Sequence, residues 1–148
     1  MKLIEFKTFN ESEEIKTEKK TESLSVEVSK CVTTLMNASI SFHKLHLKVT
    51  GQGSYAQHKG LNDIYDALPG FADGLAESYQ GANEELLKYD ESLPKILNTK
   101  QEGILYAQEL KDMLSNLQNK MIYSEIINDL DVVKSQLNSL KYKLLFLS

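Results

Sequence analysis

Apolar positions along this chain recur in steps of three and four. Val28, Val32, Leu35, Ser39, Phe42, His46 and Val49 alternate fours and threes, the spacing of one buried helical face. They predict a first helix from near Thr21–Leu24 to about Val49, ended by Gly51 and Gly53. His58, Leu61, Tyr65, Leu68, Ala72, Leu75 and Tyr79 predict a second. It should start at about Ser54, a good N-cap, run to Tyr79 or Gln80, and stop by Gly81. Pro69-Gly70 falls in its middle and should kink it, because proline removes one backbone bond and crowds the carbonyl before it. Gly103, Ala107, Leu110, Leu114, Leu117 and Met121 predict a third helix over about Lys100–Lys120. Ile126, Leu130, Val133, Leu137, Leu140, Leu144 and Leu147 predict a fourth from near Ser124 to the C-terminus. No strand pattern of comparable length competes.

Between the second and third helices lies a long connection, residues 82–100, where Pro94 interrupts and Asn83–Tyr89 could form a short helix. Residues 1–20 mix Glu and Lys with few apolar positions and are read as a flexible tail, with a short extended piece at Leu3–Phe9. The bundle is then residues 21–148. A tight first turn makes the first two helices antiparallel neighbours, and a long middle connection can carry the chain along the bundle. The expectation is an all-α, ferritin-like antiparallel four-helix bundle with a long crossover between helices 2 and 3.

The chain has 148 residues, enough for one domain with a proper core. Its 17 basic residues are all lysine, against 21 acids. Without arginine there is no bidentate clamp for phosphate or guanine, so DNA binding is disfavoured. The mixed-sign Lys16–Lys20 segment is a poor DNA-binding tail, though many copies of it would add avidity. The single Cys31 allows no intrachain disulfide and falls near the buried stripe, where it should pack. The N-terminal residues lack a secretory pattern and no apolar run is long enough for a bilayer. The expected location is the cytoplasm of a bacterium or a phage-infected cell.

Chemistry concentrates in one stretch. His43, His46 and His58 flank the glycine turn, and Asp73 and Glu77 follow one turn apart. Imidazole and carboxylate suit a divalent iron or zinc ion. On a helical wheel His58 and Asn62 border the buried stripe, whereas Asp73 and Glu77 turn away from the core. Each residue also has a plainer reading. A histidine on an apolar stripe is commonly a hydrogen-bonded core residue. His43 either substitutes as a ligand or caps the helix end. Asp73 and Glu77 read equally as a solvated acidic patch or a salt-bridging surface. Tyr55, Tyr65 and Tyr79 read as core or interface aromatics.

The stretch Phe42-His43-Lys44-Leu45-His46-Leu47-Lys48-Val49-Thr50-Gly51, then Tyr55, His58 and Tyr65, then Asp73-Gly-Leu-Ala-Glu77 and Gly81, resembles the Dps family of ferritin-like proteins. The two-histidine spacing and the Asp-x-x-Ala-Glu signature carry the resemblance. Lys141–Leu147 is loosely similar to the aromatic-rich end of that family's last helix. The chain also looks like small phage-encoded ferritin-like proteins. The resemblance implies a dodecameric homo-oligomer that binds iron, or another divalent metal, at a site shared between two subunits. There it would oxidise Fe(II) and store it. Mapped here, His46 and His58 are the imidazole ligands, and Asp73 and Glu77 reach into the neighbour's site. Position 62, where the family places a carboxylate, holds Asn62. Leu47 and Ser78 stand where the family has Trp and Arg. The rival expectation is a structural or assembly protein that kept the bundle and lost redox activity.

Overall fold

A computed structural model describes residues 2–147, with side chains from Leu24 onward. The described residues form four helices and no strand: α1 (Lys2–His46), α2 (Ser54–Asn83), α3 (Lys100–Lys120) and α4 (Ser124–Phe146). None is long and apolar enough to cross a membrane. Helix α1 begins at Lys2 rather than near Thr21. The sequence offers no glycine before Gly51 and no proline before Pro69, and its Glu and Lys residues are good helix formers. The expected tail falls on residues whose side chains lie outside those described.

The four stripes become the core. Val28, Val32, Leu35 and Phe42 of α1 are buried, as are Leu61, Leu68, Ala72, Leu75 and Tyr79 of α2. Every predicted core position of α3 is buried, and so is every one of α4 except Leu147, which lies past the helix end. Cys31 is buried as well, and burial pushes its thiol up to about 12, so it stays protonated and inert. The principal packing pairs are α1 with α2, α2 with α4, α3 with α4, and α1 with α3. Helix α1 therefore sits diagonally from α4, and α2 from α3.

Helix ends depart from the pattern where backbone chemistry overrides side-chain periodicity. Helix α1 stops at His46, three residues before Val49, as Lys48 N–H turns back to the Leu45 carbonyl at 2.9 Å. Gly51 and Gly53 take φ of 84° and 75°, a left-handed turn that glycine adopts without strain. Gly53, not Ser54, is the N-cap of α2, and no side chain caps it. Helix α2 runs past Gly81 to Asn83, and Glu84 ends it at φ 53°. The short helix expected over Asn83–Tyr89 does not form. Gln80 Oε1 instead accepts from the Leu87 N–H at 2.9 Å and the Tyr89 hydroxyl at 3.2 Å, tying the chain back onto the end of α2. Helix α3 opens with a reciprocal cap: Thr99 Oγ1 accepts from Glu102 N–H, while Glu102 Oε2 accepts from Thr99 N–H.

The connection between α2 and α3 is bonded to α1 at successive levels. Ser29 donates to the Lys88 carbonyl, Asn37 to the Ser92 carbonyl at 2.8 Å, and Lys48 to the Leu97 carbonyl at 2.8 Å. At Gly103 an added Cβ would come within 2.7 Å of a Leu45 methyl, so the start of α3 lies against the end of α1. Lys120 pairs with Glu27 at the other end of the same seam. Helices α1 and α3 thus run in opposite directions.

Pro69 sits inside a continuous α2. Lacking an N–H, it cannot bond the carbonyl of Tyr65 one turn back. Ser39 of α1 supplies the missing donor, its hydroxyl reaching Tyr65 O at 2.7 Å. The proline defect is thereby turned into a contact between helices. Ser39→Ala should cost about 1–3 kcal/mol in urea denaturation, because it leaves a half-buried carbonyl unpaired, and Ser39→Thr should keep most of the stability. Equal stability of Ser39→Ala and the parent chain would remove this account.

Candidate functional site

The last turn of α1 and the first turns of α2 meet across the glycine turn. His46, on the buried stripe of α1, is only 7% exposed. His58 lies at the exposed edge of α2. Their Nε2 atoms are 2.9 Å apart, although the two residues come from different helices. The ring centres are 3.7 Å apart and the planes are tilted by 32°. His43, one turn before His46, is exposed and stacks on Tyr65, with centres 3.9 Å apart and planes within 9°. Tyr65 also meets His46 edge-on at 5.1 Å.

Behind the histidines runs a polar relay. The Tyr65 hydroxyl donates to Asn62 Oδ1 at 2.7 Å, and Asn62 Nδ2 donates to Asp66 Oδ2 at 3.0 Å. Both ends of the Asn62 amide are therefore engaged. Tyr65 and Asp66 were not singled out with Asn62 in the sequence. Their signal is the i+3 and i+4 spacing from Asn62, which places all three on one helical face. Asp63 belongs elsewhere: Lys59, one turn back, and Lys143 of α4 hold it.

Of the residues expected to form the site, the fold brings together His46 and His58, with Asn62 beside them through Tyr65. Asp73 and Glu77 are not brought to the histidines of the same chain. Both are exposed on α2. At ~1.5 Å of rise per residue, Asp73 stands roughly 22 Å along the helix from His58. Among the described residues no three His, Cys, Asp or Glu side chains converge as a metal cluster. Neither Asp73 nor Glu77 has a hydrogen-bond or ion-pair partner among the described residues.

His46 Nδ1 is buried with no partner. If the proton sits on Nε2, it is shared with His58 and Nδ1 keeps a bare lone pair. If it sits on Nδ1, a buried donor goes unpaired, which is costly. Burial, then the neighbouring His58 and His43, hold His46 below the ordinary imidazole value, with Asp66 opposing them. The ring is therefore neutral near neutral pH, its nitrogen lone pair available to a proton donor or a cation.

An all-α bundle carrying a histidine pair at the junction of its first two helices is the class these observations define. Residues 46–144 match the model of a family of unknown function, DUF5856, and the chain belongs to that family. The matched region opens at His46 and takes in His58, Asn62, Asp73 and Glu77. No curated protein and no solved structure matches the chain.

An imidazole held below its ordinary value near 6.5 binds a proton less readily folded than unfolded. The stability it confers is full above that value and is lost as pH falls below it. With metal removed, the melting temperature should drop as pH is lowered from about 7 to about 5. In His46→Gln the drop should be smaller. An equal drop in both proteins would show that other groups set the dependence.

Proposed function

We propose that this protein is a Dps-like iron-binding protein that oxidises Fe(II) at a site shared between two copies of the chain. The observation that carries the reading is the pair of Nε2 atoms, one buried and one at the surface, held 2.9 Å apart. Imidazole suits Fe(II). Its oxidised product, Fe(III), is a harder and more highly charged ion that calls for carboxylate oxygens. Asp73 and Glu77 of a second copy are the candidates: exposed, one turn apart, and without an ion-pair partner among the described residues. One electron passes from each Fe(II) to peroxide or oxygen, and the ferric product moves into the interior of an oligomeric shell, dodecameric by the family resemblance. The ferritin-like bundle with its crossover belongs to the same proposal. It is supported by the connection's bonds to Ser29, Asn37 and Lys48 along α1.

A second reading has an observation of its own. Asn62 stands where the resemblance calls for a carboxylate ligand, and both ends of its amide are taken by Tyr65 and Asp66. A ferritin-fold structural or assembly protein without redox activity fits that arrangement.

Ferrous iron added anaerobically to the metal-free oligomer, followed by peroxide, separates the two. The first reading expects absorbance of ferric product, with the initial rate lowered roughly 10- to 100-fold in His58→Ala and in Asp73→Asn with Glu77→Gln. Light scattering should report a closed oligomer. A monomer, or a parent chain that oxidises iron no faster than buffer, would leave the assembly reading in its place.

A further inference from the structure

We propose that a notch between α2 and α4 binds a small apolar organic cation, a primary amine on an aromatic or branched alkyl body. The body enters the notch and the ammonium stays at its mouth, beside Asp129. Neither the histidines nor a second copy takes part. Gly70, the first α2 residue on the notch, stands roughly 18 Å along the helix from His58 at ~1.5 Å of rise per residue.

The notch is a cavity of about 230 Å³. Its floor is apolar: Leu35 of α1, Leu75 of α2, and Leu130 and Val133 of α4, all buried. The half-buried Phe71 walls one side. At the mouth the exposed Gly70, Gly74 and Asp129 meet water. The gap is there because α2 offers no side chain at the two glycines. A Cβ added at either would meet nothing within 4 Å. At Gly60 and Gly103, by contrast, a neighbour crowds the place of a Cβ, so packing accounts for the glycine. Gly81 is uncrowded too, but it lies in the last turn of α2. Glycine weakens a helix interior, and no close packing offsets that at Gly70 and Gly74. These two residues cost the helix stability and leave room beside it.

Size and charge then define the occupant. An apolar cavity of about 150 Å³ already takes a benzene-sized guest, so this one has room for an aromatic ring or a branched alkyl chain. Such a body gains by leaving water and by dispersion contact with the floor. Choice among guests comes from the mouth. Asp129 has no hydrogen-bond or ion-pair partner among the described residues. Helix α2 carries no lysine after Lys59, and α4 carries none before Lys134, which is held by Asp131 and Gln118. Asp73 and Glu77 follow the two glycines at i+3, and Glu125 precedes Asp129 by one turn. Exposed carboxylates of both helices therefore stand at the mouth or within a turn of it, a field that favours a cation and repels an anion. Because the mouth is exposed, the ammonium keeps part of its water and the ion pair adds only modest strength. The body sets the affinity and the charge sets the choice.

The test uses the full chain, with benzylammonium as probe and benzyl alcohol as its neutral counterpart. Methyl NMR signals of Leu35, Leu130 and Val133 report binding. Benzylammonium should shift all three, with a Kd of about 0.1–1 mM for a ligand of so few atoms. Replacing it by benzyl alcohol, or Asp129 by Asn (Asp129→Asn), should each weaken binding roughly 2- to 5-fold, and both differences should shrink in high salt. Gly74→Leu fills the notch from its own wall. It should abolish the methyl shifts while raising the melting temperature, because leucine is the better helix former. The milder Gly70→Ala with Gly74→Ala should fold at least as well as the parent and weaken binding roughly 2- to 10-fold. Methyl signals that stay in place with benzylammonium, or that respond equally to benzyl alcohol, overturn the inference. Unchanged binding in either glycine variant overturns it as well. A peptide of lysine and phenylalanine that moves the same methyls far more tightly than benzylammonium would give the notch to a protein partner, and the small-molecule assignment would fall.

Discussion

Residues 47–53 reverse the chain between α1 and α2, and the left-handed glycines Gly51 and Gly53 make that reversal tight. Much of the structure follows from the seam it creates. The turn lays the first turns of α2 against the last turns of α1, so His46 and His58 meet at 2.9 Å. Further along the same seam His43 stacks on Tyr65, and Ser39 reaches the Tyr65 carbonyl that Pro69 leaves without a donor. These contacts fix the rotation of α2 about its own axis. That rotation in turn decides which α2 residues face α4: Gly60 lies close under Lys143, where an added Cβ would come within 3.0 Å of the lysine chain. Helix α3 closes the bundle from the other side, packing Gly103 against Leu45.

Burial was legible in the sequence because it depends on a period. The step of three and four along Val28–Phe42, or along Ile126–Leu144, reports which face loses water, and the fold buries the apolar residues at those positions. Helix ends were less legible because they depend on individual bonds. The early stop of α1 is a turn back to Leu45, the start of α2 is a bare glycine, and the missing helix after Asn83 reflects what Gln80 captures. The start of α1 was misplaced for a related reason. A scarcity of apolar residues removes the core-facing stripe, but it does not remove helix propensity from Glu and Lys.

The site divides the same way. The twelve-residue interval between His46 and His58 could be read, and the turn makes it a contact. The fate of Asn62 could not, because residue type does not say which partners an amide will choose. Tyr65 and Asp66 satisfy it locally, at the short helical spacings where side chains meet without help from the rest of the fold. The separation of Asp73 and Glu77 from the histidines was legible, since angle and rise on one helix settle it.

Electrostatics along α2 sharpens that division. The helix opens beside the histidine pair, and its first carboxylates are occupied: Asp63 by two lysines, Asp66 by the Asn62 amide. Two turns past Asp66 the pattern reverses, and Asp73 and Glu77 carry charge with no cation beside them among the described residues. Exposed carboxylates one turn apart repel each other modestly and gain nothing for the isolated fold. His46, held below its ordinary value by burial, likewise gains nothing from a nearby acid that would pull a proton onto it. Among the described residues α2 thus keeps imidazole nitrogens at one end and acid oxygens without a cation further along, and the rise of the helix keeps the two groups too far apart to act together within one chain.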